Sequence, residues 1–351
     1  MKPGDKSPVF DERISSEKMF IVETANSRIE RAKLLPNPKP LIGNLWKEGE
    51  LLILFAYTGS GKTTLAQQIA KALSEGDGLF ENQLPNEAGE KKVLYFDAEL
   101  SDKQFENRYS IEYKDHTSFN GNLYYMQVNR QYILNEKQSY SESIIPEIEN
   151  EILEKDFNVI IIDNLHCLKE GLEKSKEAKP LMDKITALKH KYNVSIMVVG
   201  HTPKQHKYKM MELSDLQGSS ALSIQLDSCV AIGNSKKGDD IKYLVEVKRR
   251  DGKYIFNNNN VITCRIEKEP FLKMNFQQFE KEANHLLELD DVAEETITAT
   301  ILALKDEGQT VREITNQVPY GQTKVHSIIK NNCSSENKEN IELKENKALI
   351  K

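Results

Sequence analysis

Between residues 41 and 216, short apolar runs alternate with helical patterns. The apolar runs are Leu51–Phe55, Val93–Phe96, Leu123–Val128, Val159–Ile162 and Ser195–Val199. Near-continuous runs of this length are typical of parallel strands that are buried on both faces. The amphipathic segments between them predict helices over Lys62–Ser74, Ser101–Tyr113, Ser143–Glu154 and Pro180–Tyr192. This alternation predicts an α/β domain with a mainly parallel central sheet.

After residue 216 the apolar stretches are separated by turn residues instead of helices. Antiparallel strands are predicted at Ile241–Lys248, Val261–Glu267 and Phe271–Met274, with turn or loop signals at Asp251-Gly252 and Asn257–Asn260. We therefore place one folded core at residues 41–275. The charged segment 276–294 is interpreted as a helical linker.

The N-terminal residues 1–40 form a polar arm. A helix is predicted over Glu17–Lys33, and it ends before Pro36 and Pro38 because proline does not continue a helix.

Residues 295–332 are predicted to form two or three short helices. Gly308 ends the first, and Thr310 with Glu313 has the spacing of a capping box for the second. The segment 333–351 is rich in Lys, Glu, Asn and Ser and is predicted to be a disordered tail.

Composition narrows the class of protein. With 38% hydrophobic and 29% charged residues, the 351-residue chain has enough apolar surface for a sizeable core. The net charge of -6 excludes an overall basic coat for nucleic acid but leaves room for local basic patches. No apolar run approaches the ~20 residues of a membrane helix. The four cysteines are scattered without metal-ligand spacing, and we expect a cytoplasmic protein without a disulfide framework.

The strongest chemical signal is a glycine-rich turn between the first strand and the helix after it. Gly59 and Gly61 let successive backbone N–H groups point at phosphate oxygens, as in a phosphate-binding loop (P-loop). Lys62 is expected to reach the β- and γ-phosphates and Thr63 to bind Mg²⁺. Ala56 stands where the motif has its first glycine, which a negative φ would allow. The expected nucleotide contacts are Thr58, Gly59, Ser60, Gly61, Lys62, Thr63 and Thr64.

Two further strands end in acids, as ATP hydrolysis requires. Asp163 follows Val159–Ile162 and fits the Mg²⁺-side carboxylate of a Walker-B motif. Asp97 and Glu99 follow Val93–Phe96. Because alternate residues of a strand share a face, the spacing does not distinguish between these two acids.

The tetrad Phe96-Asp97-Ala98-Glu99, after the strand that follows the P-loop helix, resembles the RecA-type P-loop ATPases. The resemblance covers about residues 35–275 and is most specific at the P-loop and this tetrad. Within the class, the chain is similar to the RepA-like and DnaB-like hexameric replicative helicases, with KaiC- and RadA-like ATPases as relatives. The resemblance implies a RecA-like core that uses ATP and Mg²⁺, with Glu99 as general base and Asp97 as the competing candidate.

The same resemblance assigns roles to three further residues. His201, which follows the strand Ser195–Val199, is similar to the polar sensor of the γ-phosphate. The run from Lys248 to Gly252 resembles the KxRxG stretch of DnaB-type helicases, which implies that Lys248 and Arg250 reach the γ-phosphate of a neighbouring subunit. A solvated basic hairpin end is the alternative for this run.

Two loops correspond to the DNA-facing loops of RecA-type cores, namely residues 165–179 and 203–218. The second has a composition that suits phosphate contacts with one stacking group, through Lys204, Lys207 and Lys209 with His206 and Tyr208. In the first loop, glutamates dilute the lysines. Either loop could instead be a solvated surface loop.

The turn at Val318–Gly321 and the helix after it match the helix-turn-helix pattern of DNA-binding proteins. Gln322, Thr323 and Lys324 are then the expected groove-facing side chains. A three-helix cap that binds protein is the alternative.

These observations predict an ATP-dependent DNA helicase or translocase that acts in replication of a plasmid, phage or mobile element. It would form a homo-oligomeric ring, expected to be a hexamer, bind single-stranded DNA, contact duplex DNA through its C-terminal helices, and have no membrane partner. One alternative is an ATP-switched DNA-binding regulator or recombination factor. Another is a signalling-type RecA-like ATPase that does not contact DNA.

Overall fold

The computed structural model describes residues 20–129, 131, 140–164, 175–202, 209–217, 222, 224–268, 270–287 and 294–332. The predicted tail at 333–351, residues 165–174 of the first predicted DNA-facing loop, and residues 203–208 and 218 of the second lie outside the described residues.

The chain divides into two compact units, Met1–Pro38 and Lys39–Lys351. The N-terminal unit contains helix α1 (Ala25–Lys33), which begins at Thr24, where the hydroxyl accepts a hydrogen bond from the Ser27 amide at 3.1 Å. The helix ends before the prolines, as predicted. Its predicted extension back toward Glu17 is wrong for residues 20–24, which are not helical because Thr24 caps the first turn.

A nine-stranded sheet forms the centre of the second unit. Its parallel part contains β3 (Leu51–Ala56), β4 (Val93–Asp97), β7 (Leu123–Gln127), β8 (Val159–Asp163), β9 (Ser195–His201) and β10 (Ser228–Ser235), and its antiparallel part contains β11 (Gly238–Arg249), β12 (Val261–Lys268) and β13 (Leu272–Glu280). The spatial order is β13-β12-β11-β10-β3-β9-β8-β4-β7. Two small two-stranded sheets accompany it, β1 (Pro40–Ile42) with β2 (Trp46–Lys47) and β5 (Ser110–Ile111) with β6 (Asp115–His116).

Helices connect the parallel strands. They are α2 (Lys62–Glu75), α3 (Asp102–Arg108), α4 (Tyr140–Lys155) and α5 (Ser175–Tyr192). Every side chain of β3, β4 and β8 is buried, because apolar layers cover both faces of the sheet. One layer includes residues of α4 and α5, and the other includes residues of α2. The predicted α/β class, with a parallel centre and antiparallel C-terminal strands, is confirmed.

The C-terminal helices are α6 (Glu294–Asp306), α7 (Val311–Thr315) and α8, which spans residues 322–332. They share a separate apolar core that includes Ile301, Ile314 and Val325. Thr310 and Glu313 form the predicted capping box, and Gly308 has the left-handed φ of 84° expected of a residue that ends a helix.

Several boundaries differ from the sequence prediction. The helical linker predicted at 276–294 is wrong for its first part, because β13 continues to Glu280 and a 3₁₀ turn follows at Glu282–His285. The polar residues that suggested a linker are those of an edge strand, whose outer face is solvated. Strand β10 was not predicted, because Ala231 and Gly233, which are poor strand formers, weaken its short apolar pattern.

Two helices also have unexpected ends. Helix α3 stops at Arg108, because Glu112 and Tyr113 adopt positive φ in the turn of a small hairpin. Helix α5 begins at Ser175, within the segment predicted as the first DNA-facing loop, and accommodates Pro180 in its second turn.

No helix in the described part of the chain is long and apolar enough to span a bilayer.

Candidate functional site

The register of the parallel strands brings the predicted site residues to one edge of the sheet. Ala56 pairs with His201 between β3 and β9, and Asp97 pairs with Asp163 between β4 and β8. The carboxyl ends of parallel strands in an open α/β sheet are where ligands bind. The P-loop, the two acids and the sensor candidate therefore share this carboxyl edge.

The P-loop has the backbone conformation that its glycines predict. Gly59 and Gly61 have φ of 78° and 84°, which favours glycine at both positions. At Gly61 a Cβ would lie 2.4 Å from Met274 Cε and 2.7 Å from Ile266 Cδ1. Side chains of the antiparallel strands therefore also leave little room for a larger residue at this position. Ala56 is the last residue of β3 and keeps extended backbone, so its departure from the motif is tolerated.

Lys62 begins α2 with its ammonium inside the loop. Its Nζ donates to the carbonyl oxygens of Ala56 at 3.1 Å and Tyr57 at 3.0 Å. Burial lowers its pKa to about 8, while the negative charges of Asp163 and Glu99 oppose that shift. The ammonium is thus held by neutral acceptors, near the carboxylates of Asp163 and Glu99.

Asp163 lies 3% exposed at the end of β8, among hydroxyl groups. The Tyr95 hydroxyl donates to its Oδ2 at 2.7 Å, and the Thr63 side chain also hydrogen-bonds the carboxylate. Burial raises the pKa of Asp163 to about 6, and these two hydrogen bonds oppose the rise. The predicted metal pair, Thr63 and Asp163, is therefore in direct contact.

The two acids of the tetrad have different environments. Asp97 is buried, and its Oδ1 accepts hydrogen bonds from the backbone amides of Glu99 at 3.0 Å and Leu100 at 2.9 Å. Glu99 is exposed, and its carboxylate accepts a hydrogen bond from the Asn164 side chain. Asp97 thus shapes the turn that carries Glu99, which favours Glu99 as the acid available to a reactant.

Tyr95 and Asn164 were missed by the sequence analysis. Their positions place them beside the predicted acids, but the contact of Tyr95 with Asp163 also depends on the register of β4 and β8. Tyr95 stands two residues before Asp97 on the same face of β4, and Asn164 directly follows Asp163.

His201 is the last residue of β9, and it pairs with Ala56, the first residue of the P-loop motif. The Thr202 amide donates to the Ala56 carbonyl at 3.1 Å, and the Gln217 amide donates to the His201 carbonyl at 3.1 Å. The second predicted DNA-facing loop is therefore closed at its base by the sensor candidate. Lys204 and Lys207 of that loop lie outside the described residues, and Lys209 forms an ion pair with Glu212 at 2.9 Å.

Lys248 and Arg250 lie toward the opposite edge of the sheet. Cys229 of β10 pairs with Lys248 and Ile53, whereas Ile232 pairs with Ala56, so Lys248 is about 10 Å from the end of β3 along the strands, and Arg250 lies farther away. Arg250 forms an ion pair with Asp227 at 3.2 Å. Burial and the charge of Arg250 lower the pKa of Lys248. These two residues do not join the P-loop of their own chain.

The candidate groove-facing residues of α8 are exposed. Gln322, Thr323 and Lys324 form its first turn, and the Lys324 ammonium lies 3.9 Å from the centre of the Tyr320 ring. The surface is accessible to a partner, and its basic character is local.

The donors at the carboxyl edge fit Mg²⁺ together with a nucleotide. Mg²⁺ usually binds one or two protein oxygens and completes its shell with phosphates and water, which suits Thr63 with Asp163. Among the described residues, no group of three or more His, Cys, Asp or Glu could enclose a metal by itself. The Ser60 hydroxyl is fully buried in the loop without a hydrogen-bond partner in the described part of the chain, as a phosphate-facing group would be.

Two cavities open beside these groups. One, of about 460 Å³, is bordered by Tyr57, Thr58 and Gly59 and by Lys236 and Lys242 of the β10–β11 turn region. The other, of about 500 Å³, lies against the turn that carries Glu99, with Asp97 and Gln127 in its wall. The first leaves space beside the P-loop, and the second leaves space beside Asp97.

The chain is similar to known proteins in two respects. Residues 23–207, more than half of the chain, match the family model described as an AAA domain. No curated protein matches the sequence at a significant level. Among solved structures, a KaiC-like protein from the hyperthermophilic archaeon Pyrococcus horikoshii OT3 aligns with a TM-score of 0.45 and 14% identity, covering 67% of this chain and 97% of that one.

Proposed function

Because the chain belongs to the AAA domain family, we propose that it hydrolyses ATP with Mg²⁺ and uses the energy to move along or unwind DNA. The replication of a plasmid, phage or mobile element is the process that we assign to it. The single observation that carries the ATPase part is the meeting of Lys62, Thr63, Asp163 and Glu99 at one edge of the sheet.

Each of these residues has a step that its position suits. Lys62 and the loop amides bind the phosphates, and Lys62 neutralises charge that grows on the transferred phosphoryl group. Thr63 and Asp163 hold the cation, which supplies charge neutralisation between the phosphates when it is bound. Glu99, exposed and oriented by Asn164, accepts the proton of the attacking water.

The link from ATP to DNA runs through His201. Its backbone closes the loop that carries Lys204, Lys207 and Lys209, and its strand is hydrogen-bonded to the strand that enters the P-loop. A change in the position of His201 when the γ-phosphate is lost would therefore move the base of the basic loop directly. This arrangement supports coupling of nucleotide state to DNA grip.

The position of Lys248 and Arg250 supports a ring, expected to be a hexamer. Since they cannot reach the P-loop of their own chain, a role at the phosphates requires a neighbouring subunit. Mixing Arg250→Ala subunits with Glu99→Gln subunits is expected to restore part of the ATP hydrolysis that each variant lacks. No recovery in mixed assemblies of normal size would contradict a finger supplied in trans.

A second candidate function is an ATP-switched DNA-binding regulator or recombination factor. The observation that favours it is the separate core of the C-terminal helices, with Gln322, Thr323 and Lys324 exposed on α8. In that case these helices would recognise a duplex site and ATP would set the oligomeric state.

Strand displacement on a forked DNA substrate tests the choice between them. A helicase separates the strands only with ATP and Mg²⁺, and the Lys62→Ala variant does not. Sequence-selective duplex binding without displacement would replace the helicase by the regulator. ATP hydrolysis that DNA neither stimulates nor requires, with no binding to either DNA form, would instead support a signalling-type ATPase.

A further inference from the structure

Tyr95 connects two strands at the site through its hydroxyl. In the register of β4 and β8, Tyr95 is opposite Ile161 and Asp97 is opposite Asp163, so Tyr95 and Asp163 are diagonal neighbours on one face. Diagonal positions are within reach of an aromatic side chain. The Tyr95 hydroxyl donates to Asp163 Oδ2 at 2.7 Å, and the two residues are 0% and 3% exposed.

The ring of Tyr95 is held in place by its surroundings. It is opposite Tyr125 on the edge strand β7, and the two ring centres are 5.1 Å apart. Phe105 of α3 packs edge-on against Tyr125, with ring centres 4.7 Å apart. Because the ring is also part of the apolar layer that includes α2 residues, its hydroxyl has one position, against Asp163.

A hydroxyl at this depth has a cost that phenylalanine would avoid. A buried polar group without a partner destabilises the fold, whereas a donor to a carboxylate makes a strong hydrogen bond. Here the bond occupies one oxygen of Asp163 while the Thr63 side chain contacts the same carboxylate. The carboxylate is therefore fixed between two hydroxyls, and its orientation is set before a ligand binds.

We propose that Tyr95 is a positioning residue, which orients the Asp163 carboxylate for a divalent cation bound with ATP. This inference rests on the proposed function, since it needs Mg²⁺ at Thr63 and Asp163. Partners that hydrogen-bond a metal ligand from outside typically contribute about 10–100-fold in metal affinity. Tyr95 has this relation to Asp163 and does not need to contact the cation.

The test is a Mg²⁺ titration of the binding of a fluorescent, non-hydrolysable ATP analogue. The full chain is compared with Tyr95→Phe, which removes only the hydroxyl, and with the matched control Tyr125→Phe, which removes the hydroxyl of the neighbouring ring. We expect Tyr95→Phe to require about tenfold more Mg²⁺ for half-maximal tight binding. Its affinity for the analogue in a chelator should equal that of the full chain, and Tyr125→Phe should match the full chain throughout.

The outcomes separate this inference from the proposed function. If the unmodified chain binds the analogue equally with Mg²⁺ and with a chelator, or not at all, both are overturned. If the unmodified chain depends on Mg²⁺ but Tyr95→Phe has the same or a lower Mg²⁺ requirement, only the role of Tyr95 is overturned. A Tyr95→Phe chain that loses binding in the chelator, with a lower melting temperature than Tyr125→Phe, would show a structural role and would also overturn it.

Discussion

Buried charges have different kinds of partner at the two edges of the central sheet. At the carboxyl edge, Lys62 donates to backbone carbonyls and Asp163 accepts from hydroxyls. At the opposite edge, acids and bases neutralise each other: Arg249 lies 2.6 Å from Glu246, and Lys189 lies 2.6 Å from Asp227. Those four side chains are at most 13% exposed.

This difference separates function from stability. Charges that are satisfied by neutral groups remain available to a charged ligand, and burial moves their pKa values toward neutrality, as at Lys62 and Asp163. Charges that are paired stabilise the contact of the elements they join, and breaking one pair leaves its partner buried and unpaired. Substitutions of the site residues at the carboxyl edge should therefore change catalysis and binding, and substitutions in the buried pairs Arg249–Glu246 and Lys189–Asp227 should change folding.

Glu99→Gln is expected to have the largest effect on the reaction. Removal of the general base should lower kcat about 10²–10⁴-fold, while nucleotide affinity and the unfolding transition stay unchanged. The comparison is Asp97→Asn, because the asparagine oxygen can still accept from the amides of Glu99 and Leu100. Steady-state ATP turnover checks both, and a greater loss in Asp97→Asn would assign the base to Asp97 instead.

Glu246→Ala is expected to be the most destabilising change at the opposite edge. Glu246 pairs with Arg249 and accepts hydrogen bonds from the amides of Ile255 and Phe256, each at 2.8 Å. Its loss should lower the free energy of unfolding by about 3–5 kcal/mol, because Arg249 would stay buried without its partner.

Denaturant unfolding measures this effect against a surface control. Glu151→Ala breaks a partly exposed pair with Lys155 and should cost less than about 1 kcal/mol. Equal costs for the two variants would show that the opposite edge is not held by its charges.

Lys62→Ala should weaken binding of an ATP analogue at least about 100-fold, since it removes charge-assisted hydrogen bonds of about 1.5–3 kcal/mol each. Folding stability should not fall, because the desolvated ammonium disappears with the side chain. The matched control is Lys71→Ala on the same helix, where the lysine pairs with Glu75. Equilibrium fluorescence binding gives both affinities, and equal values would remove Lys62 from the phosphate site.

The pH dependence of kcat/KM is expected to show the smallest of these effects. Asp163, with its pKa raised to about 6, loses its negative charge as the pH falls below 6; Lys62, with its pKa lowered to about 8, loses its positive charge as the pH rises above 8. We therefore expect a maximum between pH 6 and 8, with about a tenfold loss per pH unit outside it. On the alkaline side kcat should fall less, because bound phosphate keeps Lys62 protonated. A flat kcat/KM profile from pH 5 to 9 would contradict these shifts.

The carboxyl edge could be predicted from sequence because its signals are local. The P-loop glycines, Lys62 and Thr63 are contiguous, and Asp163 and Glu99 each follow a buried apolar run. Parallel strands then bring these ends to one edge without further information. The contact from Tyr95 to Asp163 depends on strand register, which a single run of residues does not specify.

The opposite edge was harder to predict because its signals are distant in sequence. Asp227 contacts Lys189, Arg250 and the Leu51 amide, which belong to three separate segments. Strand β10 was missed as well, because its place in the sheet depends on pairing with β3, which is distant in sequence. The charge density of the whole segment 276–294 suggested a helical linker, whereas its first residues, 276–280, belong to an edge strand, which tolerates polar residues.

The most direct measurement of the central claim is phosphate release from ATP by the purified chain, with Mg²⁺ and with a chelator. We expect steady turnover with Mg²⁺, its loss in the chelator, and its loss in Lys62→Ala. Turnover that persists in the chelator or in Lys62→Ala would contradict the assignment of the carboxyl edge as an ATP-hydrolysing site.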